Sequence, residues 1–150
     1  MIRLSRLADY GVVLMTQFAR HPEAMRTAPE MASATGLPAP TVSKVLKRLG
    51  QAGLLVSHRG TKGGYTLARA AEAISVAHII AALDGPVMLT ECMGHPGGVC
   101  EIESLCPTRT NWRRINDAVH GALAQVSLAE MAVPFPALRP AEAPNHIAAE

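Results

Sequence analysis

Three residues of this 150-residue chain bring soft-ligand chemistry into a short interval: Cys92, Cys100 and Cys106, its only cysteines. They lie in Leu89–Trp112, LTECMGHPGGVCEIESLCPTRTNW, with seven and then five residues between them. Gly94, Pro96, Gly97 and Gly98 open the first gap, and Pro107 follows the last thiol as a good first residue for a helix. Buried thiols are common, but Glu91, Glu101, Glu103 and the glycines give this stretch an exposed character. A disulfide would leave one thiol over, and nothing marks the chain as secreted. Structural zinc usually takes a tight Cys-x-x-Cys knuckle. An open glycine-rich loop with wider gaps suits a larger thiolate-held object, an iron–sulfur cluster of the 2Fe–2S or 4Fe–4S type. Three thiolates are one short of the usual four, which implies a non-cysteine ligand or an open iron position.

The elements that must carry this loop are mainly helical. Nearly half of the residues are hydrophobic, yet only five are aromatic, so the core is predicted to be aliphatic. The net charge of +2 is split unevenly: residues 1–69 hold ten Lys/Arg against three Asp/Glu, and residues 70–150 hold four against nine. A basic first half points to a polyanionic partner. The helix read at residues 5–19 places Leu4, Leu7, Ala8, Gly11, Val12, Met15, Phe18 and Ala19 on one face at helical spacing. Thr27-Ala28-Pro29-Glu30 is a capping box for a short helix ending at Gly36. A second helix is predicted from about Pro40 to Ala52, with Val42, Val45, Leu46 and Leu49 inward and a polar, basic outer face. This is a helix-turn-helix pattern. Leu54–Ser57 and Tyr65–Leu67 read as a hairpin around the cationic tip HRGTKGG, the wing of a winged helix.

Thr41, Ser43 and Lys44 are expected nearest the bases, with Lys47 and Arg48, and Arg59 and Lys62 of the wing, on phosphates. Ser75 caps a helix through Val76, Ile79, Ile80 and Leu83, in which His78 reads as structural or surface. A long helix is predicted from Pro107 to about Val126, with Trp112, Ile115, Val119, Leu123 and Val126 in one stripe. That stripe suits a dimer seam or packing on the first helix. Ser127-x-x-Glu130 repeats the capping pattern, and residues 133–150 read as a disordered tail. The fold class is mainly α with a small β-hairpin wing: a winged helix-turn-helix DNA-binding domain (1–86), a cysteine loop with a long dimerisation helix (87–132), and the tail. No secretory or membrane-spanning stretch is evident, so a cytoplasmic protein is expected.

Together, MIRLSRLADYGVVLM, GLPAPTVSKVLKRLGQAGLL, RGTKGGYTLAR and the three-cysteine loop resemble the Rrf-two family of bacterial winged-helix regulators over about residues 1–132. ALDGPVMLTECM and CPTRTNWRRIN look most similar to the subgroup regulating the SUF iron–sulfur assembly operon. The resemblance implies a homodimer that binds a palindromic DNA operator and holds a cluster in the loop of each subunit. In the family's iron–sulfur assembly regulators a histidine three residues after the third cysteine completes the ligand set. Here that position is Arg109, and the first gap is two residues longer. Nitric-oxide-sensing members use an aspartate in the first helix of the partner subunit, a position that aligns with Asp9. His95 and Glu91 are the rivals.

The expected function is a transcriptional repressor of SUF assembly genes whose DNA affinity follows its cluster. The alternative is an iron–sulfur carrier or electron-transfer protein, which the wing and charge asymmetry disfavour. No nucleophile–base pair, nucleotide loop or paired carboxylates suggest an enzyme.

Overall fold

The computed structural model describes residues 3–60, 63–90 and 105–133. The first helix, α1 (Arg6–Arg20), starts where Ser5 Oγ accepts the Ala8 N–H at 3.1 Å. It buries Ala8, Gly11, Leu14, Met15 and Phe18, so Leu14 joins the predicted stripe while Leu4 stays 47% exposed. Helix α2 (Ala28–Thr35) opens with the predicted capping box: Thr27 N–H donates to Glu30 Oε2 at 2.7 Å, and Thr27 Oγ1 accepts the Glu30 N–H. Gly36, at φ 69, supplies the left-handed residue that turns the chain towards α3 (Ala39–Gln51).

Strands β1 (Leu55–His58) and β2 (Gly64–Leu67) pair antiparallel, one residue later than predicted for β1. The shift arises because Leu54 N–H still bonds back to Leu49 O. The hairpin also has a neighbour that the sequence did not announce. Arg26 and Tyr65 exchange both backbone hydrogen bonds, at 3.0 and 2.8 Å, which pins the wing to the segment before α2.

Helix α4 (Val76–Asp84) is capped reciprocally by Ser75 and His78: His78 Nδ1 accepts the Ser75 N–H at 3.0 Å, in the slot usually filled by Glu or Gln. His78 is therefore structural. Helix α5 (Arg109–Gln125) begins two residues later than predicted, because Pro107 and Thr108 form a turn. A last helix, α6 (Leu128–Ala132), follows its predicted Ser127–Glu130 box.

One aliphatic core gathers Leu14, Met15, Phe18, Met31, Val42, Val45, Leu46, Leu49, Ile74, Ile79, Leu83 and Leu128, from α1 to α6. Helix α5 buries none of its residues. It lies along α4, with Leu123 packed on a small cluster of Ala8, Val76 and Ile80. Trp112 and Ile115 remain 40% and 47% exposed. The expected tail lies outside the described residues from 134 onward.

Candidate nucleic-acid interface and cysteine loop

Helix α3 divides its side chains cleanly. Val42, Val45, Leu46 and Leu49 are buried, whereas Ser43, Lys44 and Lys47 are exposed and Thr41 is half-buried. Five of the seven residues expected on DNA thus sit on one helix, three of them open to solvent. The side of α3 that faces the core fixes the side that faces out, since residues three and four apart share a face.

Arg48, expected on phosphate, has an intramolecular partner as well. It is half-buried, and its Nη1 donates to Leu83 O near the end of α4 at 2.9 Å. Its place at the margin of the buried face, three residues after Val45 and beside Leu49, is the signal that could have revealed this. A long cationic side chain there can lay its stem on apolar surface.

The wing carries Arg59 exposed at its tip, where Gly60 takes φ 117 and its carbonyl accepts the Gly63 N–H at 2.9 Å. Behind it, His58 Nε2 and Thr66 Oγ1 lie 2.9 Å apart across the strands. Lys62 lies outside the described residues.

Cys106 is the one cysteine described, and it is half-buried just ahead of α5. Thr108, the N-cap of α5, makes no side-chain capping bond; its Oγ1 lies 3.4 Å from the Cys106 Sγ. The Thr108 hydroxyl, then the Thr108 and Arg109 backbone and the Arg109 charge, hold the Cys106 thiol below its ordinary pKa. That favours the thiolate, the form that ligates metal. Cys92, Cys100, His95 and Glu91 lie outside the described residues. Asp9 is solvent-exposed on the first turn of α1. Among the described residues no three His, Cys, Asp or Glu side chains gather around a common point.

A helical pair with a free polar face, followed by a hairpin with a cationic tip, defines a winged helix-turn-helix transcriptional regulator. The Rrf2 family model, described as an iron-dependent transcriptional regulator, matches residues 4–134, and the chain belongs to the Rrf2 (Rrf-two) family. The regulator IscR of Erwinia tasmaniensis is 32% identical over 131 residues, covering 87% of this chain and 78% of the relative. Among solved structures, the Bacillus subtilis global cysteine regulator CymR aligns at a TM-score of 0.71 and 32% identity, over 88% of this chain and 97% of that one. IscR of T. potens aligns at 0.65 and 27%, over 87% and 85%. These relatives are transcriptional regulators, not enzymes. Among the described residues no helix is long and apolar enough to cross a membrane.

Proposed function

We propose that this protein is a homodimeric repressor of SUF iron–sulfur assembly genes whose affinity for a palindromic operator depends on a cluster held by Cys92, Cys100 and Cys106. The observation that carries the reading is Cys106: a half-buried thiol held towards its thiolate, immediately before the helix whose apolar stripe is open to a partner. Three thiolates fit an iron–sulfur cluster, and with a non-cysteine fourth ligand they leave one position labile. Asp9 of the partner subunit supplies that ligand, with His95 as the rival. When bound, the cluster provides an iron centre that reacts with oxidants or nitric oxide, or is lost when iron is scarce.

The chain's own residues do the rest. Thr41, Ser43 and Lys44 of α3 meet base edges, and Lys47, Arg59 and Lys62 meet phosphates. Helix α5 sets the separation of the two α3 helices across the dimer, because Trp112, Ile115 and Val126 stand exposed along it and its neighbour turn. The likeness of ALDGPVMLTECM and CPTRTNWRRIN to SUF regulators supports the choice of target genes.

The test is anaerobic reconstitution followed by absorption and Mössbauer spectra, then binding to the upstream region of the host's SUF genes with and without cluster. Cysteine-ligated iron and a different affinity in the two states are expected. A protein that takes up no cluster, or whose operator affinity ignores it, refutes the proposal. Comparing Asp9→Ala with His95→Ala decides the fourth ligand by which one shortens cluster lifetime.

A further inference from the structure

Four segments meet at the last two residues of α4. Carbonyls in the final turn of a helix lack intrahelical partners and attract cations, and Leu83 O takes Arg48 Nη1 of α3 at 2.9 Å. Next to it, Asp84 Oδ1 accepts the hydroxyl of Ser5, the N-cap of α1, at 2.6 Å. Gly11 brings α1 into contact with the Leu83 side chain, since nothing larger than hydrogen fits between them. From Gly85 the chain runs to Leu89, whose N–H donates to Asn116 Oδ1 of α5 at 3.1 Å, only three residues before Cys92. The recognition helix, the helix bearing Asp9, and the stem of the cysteine loop are thus joined through one short stretch of backbone.

We propose that Arg48 is a positioning residue, and that its bond to Leu83 links DNA occupancy of α3 to the state of segment 85–90 at the root of the cysteine loop. The proposal rests on the reading of α3 as the DNA-reading helix. It goes further by naming the contact through which the loop is heard. Coupling between two sites is reciprocal, so DNA must order the loop stem as much as the loop stem tunes DNA binding, and the link can be tested in cluster-free protein.

The probe is a duplex selected by the wild-type protein from a random-sequence pool, with a scrambled duplex as control. In wild type, adding the selected duplex should slow amide exchange in residues 85–90 by about fivefold or more. In Arg48→Met that slowing should vanish, and the preference for selected over scrambled DNA should fall about tenfold at an unchanged salt slope. Arg48→Lys, which keeps the charge but has no planar fork to span the same geometry, should behave like Arg48→Met.

A salt slope lowered by about one in Arg48→Met, with loop protection intact, makes Arg48 a phosphate contact and overturns the proposal. A lower melting temperature with both preference and protection retained makes it merely structural and overturns it equally. Normal DNA preference in wild type without any change at 85–90 sinks the link alone. A wild-type protein that selects no duplex sinks the reading of α3, and the link with it.

Discussion

Replacing Gly11 with alanine should destabilise this protein, although alanine is the better helix former. Gly11 lies on the buried face of α1, and a Cβ built there overlaps Leu83 Cδ1 and stands 3.4 Å from Ile79 Cγ2. Leu83 is 4% exposed and Ile79 0%, so neither side chain has open space to turn into. Either α1 and α4 separate or Leu83 leaves its rotamer. Alanine gains about 1 kcal/mol over glycine in a helix interior, whereas overpacking a filled core costs about 1–3 kcal/mol. The overlap with a confined methyl group places the cost towards the upper end, so the net loss should be about 1–2 kcal/mol. Urea unfolding followed by far-UV circular dichroism measures it. The second half of the cycle is sharper. Leu83→Ala alone should cost about 2–5 kcal/mol, but in that background Gly11→Ala should be neutral or gain up to about 1 kcal/mol. The coupling energy should then reach about 2 kcal/mol. A stabilising Gly11→Ala in wild type, or simple additivity with Leu83→Ala, would refute the reasoning.

Lys47→Ala should weaken binding to all duplexes and lower the salt slope by about one, whereas Lys44→Ala should cost about 1–3 kcal/mol on the selected duplex and little on scrambled DNA; fluorescence anisotropy across a salt series separates the two. In a Cys92→Ser/Cys100→Ser background, Thr108→Val should slow alkylation of Cys106 at neutral pH, because removing the hydroxyl lets the thiol pKa rise. Glu30 and Glu130 are held below their ordinary value of 4.5 by the Thr27 and Ser127 capping bonds. Their folded pKa lies under the unfolded one, so their contribution is present above the ordinary glutamate range and is lost as pH falls through the lowered values. The urea midpoint of Glu30→Gln/Glu130→Gln should therefore fall less steeply than wild type on acidification.

What was legible in the sequence was local. Thr27 and Glu30, and Ser127 and Glu130, are three residues apart, and each pair forms the cap that its spacing announces. The buried face of α3 follows from helical periodicity, and the hairpin from two short apolar runs around glycines. Less legible were roles in which a side chain leaves its usual partner. His78 fills a slot usually held by a carboxylate or amide, and the Thr108 hydroxyl lies against the Cys106 thiol, 3.4 Å away. Least legible were contacts between distant segments. Arg26 and Tyr65 stand far apart in the chain, and so do Arg48 and Leu83. A basic residue near two lysines on the outer side of α3 reads as another phosphate contact, and nothing in the local pattern announces that the end of α4 also lies within its reach.

The same distinction explains why α5 depends on its surroundings. An isolated helix of this length is marginal in water, and tertiary packing normally supplies the difference. Within the protomer, α5 is held where Leu123 meets Ala8, Val76 and Ile80, and where Asn116 takes the Leu89 N–H. Both anchors lie beyond Ile115, while the half beginning at Arg109, next to Cys106, presents Trp112 and Ile115 with no buried side chain. Among the described residues no side chain of that half is buried, so whatever covers the stripe and whatever binds the thiol beside it adds to its order. In the proposed dimer those are a second copy and the cluster, and both act on the helix at the end remote from its packed anchors. In that proposed state a change at Cys106 would act on the part of α5 that buries no side chain, and Asn116, bonded to the Leu89 N–H, is the contact that would carry it to the loop stem.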